Sequence, residues 1–186
     1  MEGTENEELV HGGPESSIPT SISPDGRWLL FRQDADIWLL ALDGSAEPRP
    51  LIEGPTFESG GRFSPDGRWI TFGSRESGRR EVYAMPFPGP GRRYQITTEG
   101  GGGGRWRNDG REILFQAQGT LYAVGVEPTG SSLRIGSPQK LFSLEGITAG
   151  APLPDFSRFI TAVSKRSPEV APLALVMNWT AELERK

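Results

Sequence analysis

The stretch Ser23-Pro24-Asp25-Gly26-Arg27-Trp28 recurs as Ser64-Pro65-Asp66-Gly67-Arg68-Trp69, 41 residues later. A worn copy, Asn108-Asp109-Gly110-Arg111, has its aspartate 43 residues further on, and a fourth, Pro154-Asp155-Phe156-Ser157-Arg158, lies another 46 along. The motif has a mechanical reading. Proline presets φ for the second position of a type I turn, aspartate hydrogen-bonds nearby backbone, and glycine takes the positive φ that closes a hairpin. Asp25, Gly26, Asp66, Gly67, Asp109, Gly110 and Asp155 are therefore assigned to turn structure. Repeats in the low forties match a four-stranded propeller blade.

Working outward from each turn, a short apolar strand follows: Trp28–Phe31, Trp69–Phe72, Ile113–Phe115 and Phe159–Val163. A second run comes after it, at Asp36–Leu42, Glu81–Met85, Thr120–Val126 and Leu173–Asn178. Several of these are nearly continuous apolar runs, as strands packed on both faces require. Arg49–Glu53, Arg92–Thr97 and Gln139–Phe142 read as outer edge strands. Ser59–Ser64 and Gly103–Arg107, ahead of the turns, read as innermost strands facing a central channel. The expected fold is all-β, with four blades at 18–54, 57–98, 101–143 and 148–178. Before them lies a polar segment, 1–17, with a candidate outer strand at Glu7–His11; after them comes a polar tail, 179–186.

Composition agrees with this reading. The 186 residues suit one domain, and 25 glycines with 16 prolines are too many turn formers for a helical bundle. A net charge of −4 argues against nucleic acid or an anionic membrane surface as partner. The absence of cysteine excludes disulfides and thiolate metal sites. No run approaches the roughly 18 apolar residues of a membrane span, so no direct membrane insertion is expected. Met1–Val10 is acidic and polar and does not read as a secretory signal.

The Ser-Pro-Asp-Gly-Arg-Trp repeats resemble the TolB-like propellers of bacterial exported proteins. The chain is more similar still to the C-terminal propeller of membrane-anchored bacterial serine/threonine protein kinases. That resemblance rests on Gly60–Trp69, Ser77–Pro90, Arg105–Gly110 and Leu175–Leu183 and covers nearly the whole chain. It implies a periplasmic or extracytoplasmic module for sensing or for binding protein or peptide. The chain itself has no glycine-rich nucleotide loop, Val-Ala-Ile-Lys, His-Arg-Asp or Asp-Phe-Gly, so kinase activity is not carried over. TolB-like propellers have six or more blades. The resemblance therefore favours an open arc, part of a larger propeller whose bare blade faces invite self-association, over a ring closed by Glu7–His11.

The other candidates for chemistry read as structure. The aspartates recur once per blade, whereas catalytic carboxylates act singly or as a close pair in one pocket. Gly100–Gly104 lacks the lysine and Ser/Thr of a phosphate loop and reads as a flexible connection between blades. His11, the only histidine, has no plausible partner for a triad or zinc site. Asp34 and Asp36 lack the further ligands of a calcium loop. The tryptophans, Trp28, Trp38, Trp69, Trp106 and Trp179, mostly fall at equivalent strand positions and read as core. Asn178-Trp179-Thr180 matches a glycosylation acceptor only formally. No catalytic residue, metal or cofactor is expected. What remains is Arg62, Arg105 and Arg107, placed to line the channel and hold a carboxylate, a phosphate or an acidic peptide. Pairing with a blade carboxylate or stacking on Trp106 is the competing role for the three. The expected function is a non-catalytic interaction module. Its rivals are the regulatory end of a transmembrane serine/threonine kinase and the substrate gate of a peptidase or polysaccharide lyase.

Overall fold

The computed structural model describes residues 17–89, 91–153, 155–163 and 173–177. His11, the 7–11 strand, Pro154, Asn178 and the 179–186 tail with Trp179 lie outside these residues. The described chain forms four antiparallel sheets in sequence order. The first holds β1 (Ser17–Ile22), β2 (Trp28–Gln33), β3 (Asp36–Ala41) and β4 (Arg49–Ile52). The second holds β5 (Ser59–Phe63), β6 (Trp69–Ser74), β7 (Glu81–Pro86) and β8 (Tyr94–Gln95). The third holds β9 (Gly102–Trp106), β10 (Glu112–Ala117), β11 (Thr120–Thr129) and β12 (Ser132–Ser143). The fourth holds β13 (Ile147–Pro152), β14 (Arg158–Val163) and β15 (Leu173–Met177).

Apolar faces stack sheet on sheet. Leu30, Ile37, Leu39 and Ile52 of the first sheet meet Phe63, Ile70, Phe72 and Tyr83 of the second. Trp69, Val82 and Ala84 of the second meet Trp106, Ile113 and Val124 of the third. Leu114, Leu121 and Ala123 of the third meet Phe156 and Phe159 of the fourth. A sheet with neighbours on both sides must bury both of its faces, and β6 is accordingly buried at every position, Trp69 through Ser74.

The turn chemistry is visible atom by atom. The Gly26 N–H donates to the Ser23 carbonyl and the Gly67 N–H to that of Ser64, with glycine φ of +73° and +69°. The aspartate then accepts the N–H two residues on, Arg27 to Asp25 and Arg68 to Asp66, both at 3.1 Å. The serine has a part that the motif alone does not disclose. Its hydroxyl donates to that same aspartate and accepts the tryptophan N–H, Trp28 on Ser23 and Trp69 on Ser64 at 2.9 Å.

Several expected strands have other limits. The edge strand read at Arg92–Thr97 is ladder-paired only at Tyr94–Gln95. Beyond it, the Thr97 hydroxyl takes the Val82 N–H in place of a backbone acceptor. The strand read at Gln139–Phe142 is the end of the longer β12, whose start pairs with Val126–Thr129 around Gly130. Gly103 and Gly104 carry two expectations, innermost strand and flexible connection, and with Gly102 they belong to strand β9. The preceding Gly100 N–H is held by the buried carboxylate of Glu81, and the Gly101 N–H by the Arg80 carbonyl.

Candidate functional site

The innermost strands β5 and β9 carry the same four-residue pattern, Gly60-Gly61-Arg62-Phe63 and Gly103-Gly104-Arg105-Trp106, 43 residues apart. Each place in it has a task. Gly60 and Gly103 sit at φ of +66° and +73°, where a side chain is strained, and both fall where the inner ladders lose register. Gly61 and Gly104 lie flat on the preceding sheet. A Cβ on Gly61 would stand 3.1 Å from Ile37 Cγ2, and one on Gly104 2.6 Å from Val82 Cγ1. Phe63 and Trp106 turn into the two inter-sheet cores. Arg62 and Arg105 are left half-buried at one level of adjacent blades. The arginines and Trp106 of this pattern stand out in the sequence, whereas the separate tasks of its glycines do not.

Two cavities meet at these arginines. One, of about 410 Å³, runs between the third and fourth sheets, with Leu114, Leu121, Phe142 and Phe159 forming an apolar wall. The other, of about 350 Å³, takes lining residues from all four sheets, among them Ser21, Phe63, Trp106 and Phe156. Arg62, Arg105 and Pro152 are common to both. The sheets thus converge on one opening with the two guanidinia beside it.

Neither Arg62 nor Arg105 makes a hydrogen bond or ion pair with any described residue. Burial first, and then the neighbouring Arg105 charge, hold the Arg62 guanidinium below the ordinary arginine value. An arginine nevertheless stays charged, so the strain is felt as repulsion and lost hydration. Other arginines of these sheets are paired: Arg79 with Glu81, Arg93 with Glu76 and Arg134 with Glu127.

Arg107 does not belong with the other two. It lies just past β9 at the place that Ser64 holds in the preceding turn, and its guanidinium grips Asp109 and Glu112 at 2.6 and 2.8 Å. It lines neither cavity, and of the two roles expected for it the pairing with blade carboxylates is the one its bonds match. Asp25, Asp66, Asp109 and Asp155 each accept a backbone N–H from two residues on. Hydrogen bonds from Ser23 and then Arg27 hold the Asp25 carboxyl below its ordinary value, and those from Ser157 do the same for Asp155. Among the described residues no three acidic side chains gather closely enough to hold a metal ion.

Comparison with known proteins gives the architecture its name. A TolB candidate from Agrobacterium tumefaciens superposes with a TM-score of 0.71 at 23% identity, over 91% of this chain and 61% of its own. The fold is a β-propeller, present in part. TolB from Acinetobacter baumannii gives a TM-score of 0.59 at 20% identity, over 88% of this chain and 41% of its own. The β-propeller domain of Cps50 (Swd1) from Myceliophteria thermophila gives 0.61 at 15% identity, over 92% and 61%. This chain therefore spans about three fifths of the first TolB structure and two fifths of the second. No protein-family profile and no curated protein matches it.

Proposed function

We propose that the chain is a non-catalytic TolB-like propeller module that binds protein or peptide at the opening where its four sheets converge. The observation that carries this reading is the Arg62–Arg105 pair, held on two rigid inner strands without an acceptor among the described residues and beside an apolar-walled cavity. Rigid strands that present uncompensated donors are suited to recognition, because little ordering cost remains to be met on binding. The acidic residues of the repeats are engaged in their own turns, which supports a module without chemistry of its own. The compartment implied by the resemblance is extracytoplasmic, and light scattering tests whether open blade faces self-associate there.

The test is selection from a random-peptide display library on the immobilised chain. Enrichment of a consensus whose synthetic peptide binds with a Kd in the micromolar range supports the reading. A library that yields no binding sequence overturns it.

The second reading is the sensor end of a transmembrane serine/threonine kinase. The proline-rich run that supports that resemblance is built into the propeller. Phe87 stands edge-on to Trp28 and to Phe63, with ring centroids 6.1 and 5.0 Å away, and joins the first sheet to the second. Sequencing upstream in the genome decides it: a kinase domain and membrane span in the same reading frame support it, and their absence there refutes it.

A further inference from the structure

Repeat symmetry places Arg62 and Arg105 at the same position of neighbouring blades, so their guanidinia are brought together by the architecture itself. The corresponding position of the first blade is Ser21, whose hydroxyl accepts the Phe63 N–H, and that of the fourth is Ala151. Positive charge is thus confined to one side of the opening, the side where the apolar cavity begins. Two half-buried like charges without a counter-ion among the described residues are costly, and the cost is relieved by an anion that meets both forks.

The cavity describes the rest of that anion. At about 410 Å³ it lies within the range of roughly 300–1,000 Å³ seen for small-molecule pockets. Leu121, Phe142 and Phe159 offer an apolar seat close to the charge, and Gln116 offers a polar side chain. A bare phosphate fills none of this apolar wall. Resting on the peptide-binding reading above, we propose that Arg62 and Arg105 form a carboxylate site whose adjoining cavity takes the apolar side chain next to it. A peptide meets that description through a C-terminal carboxylate on an apolar last residue, or through an internal acidic residue flanked by an apolar one.

Calorimetry on the full chain tests the site with three acetylated pentapeptides. One ends in leucine as the free acid, the second is its C-terminal amide, and the third is an amide with an internal glutamate before leucine. Binding of the first or third, with the plain amide at least about tenfold weaker, supports the site and identifies which carboxylate it takes. Arg62→Gln and Arg105→Gln are each expected to weaken the acid about tenfold or more while leaving the melting temperature unchanged or higher, since repulsion is removed. A structural role for the arginines would lower the melting temperature instead. N-acetyl-leucine as competitor, against N-acetyl-leucinamide and inorganic phosphate, gives an arm that needs no variant, and only the first is expected to displace the peptide. A plain amide that binds as tightly as the tighter of the first and third peptides, failure of all three peptides to bind, displacement by phosphate alone, or wild-type affinity in both variants overturns the proposal. A library consensus that binds without regard to its carboxylate defeats this site and leaves the peptide-binding reading standing.

Discussion

Arg107 donates two near-parallel hydrogen bonds to Asp109, Nε to Oδ1 at 2.9 Å and Nη2 to Oδ2 at 2.6 Å. In the turn before it the same place is filled by Ser64, whose hydroxyl donates to Asp66 at 2.6 Å. The third turn thus keeps the geometry and exchanges a hydroxyl for a charged fork. Its spare Nη1 reaches Glu112, the residue that replaces Trp69.

That exchange makes the third turn sensitive to acid. The bonds from Arg107, ahead of the Arg111 N–H, hold the Asp109 carboxyl at about 2, against an ordinary value of 3.8. A depressed native value means stability present above the unfolded value and lost as pH falls through the native one. Wild type is expected to exceed Asp109→Asn in urea midpoint at pH 4 and above, and the gap is expected to close between pH 4 and 2. Solvent around the pair keeps the gap to roughly 0.2–1 kcal/mol. A gap that persists unchanged to pH 2 would assign the effect to something other than the ion pair.

The serine of the intact turns is the more costly residue to lose. Ser64 is buried, and its hydroxyl is the sole acceptor for the N–H of buried Trp69 among the described residues. Ser64→Ala therefore leaves a buried donor unsatisfied, at about 1–3 kcal/mol. Among the described residues the exposed Ser157 hydroxyl bonds only to Asp155, and Ser157→Ala is expected to stay within about 0.5 kcal/mol. Chemical denaturation of the two variants side by side checks the ranking.

Much of this architecture was legible because propeller strands are short apolar runs set between fixed turns. Trp28–Phe31 and Trp69–Phe72 fall inside β2 and β6 for that reason. The start of β12 was not legible. Its inward face carries only Leu133 and Ile135 between polar neighbours, too short an alternation to stand out in the sequence. Arg107 sits in a turn that has lost the Ser-Pro signature, and counting two back from Asp109 locates it there. Glycine carries no apolar signal, so Gly102–Gly104 reads as linker as readily as strand. Only the sheet packed against it shows why a side chain is excluded there.

That exclusion can be measured at Gly104. A methyl there meets Val82 Cγ1 at 2.6 Å and Thr71 Cβ at 3.3 Å, both on the neighbouring sheet. Gly104→Ala is expected to cost about 1–3 kcal/mol by overpacking. Val82→Ala removes the obstructing methyls, so the double variant is expected to be more stable than the sum of the two single losses predicts. Strict additivity in thermal melts would show that the contact is not the cause.

Phe156 occupies the glycine place of the fourth turn, at φ +59° and only 1% exposed, packed with Leu114, Leu121 and Phe159. A bulky side chain in this left-handed region is strained, and the structure retains it because the ring fills the interface between the last two sheets. The usual order of substitution is therefore expected to reverse. Phe156→Ala loses the ring, at about 3–5 kcal/mol, and keeps the strain. Phe156→Gly loses the ring too but relaxes the backbone, recovering about 1–2 kcal/mol. Glycine is expected to melt higher than alanine at this position. If alanine melts higher, the left-handed conformation costs nothing here, and Phe156 is held by packing alone.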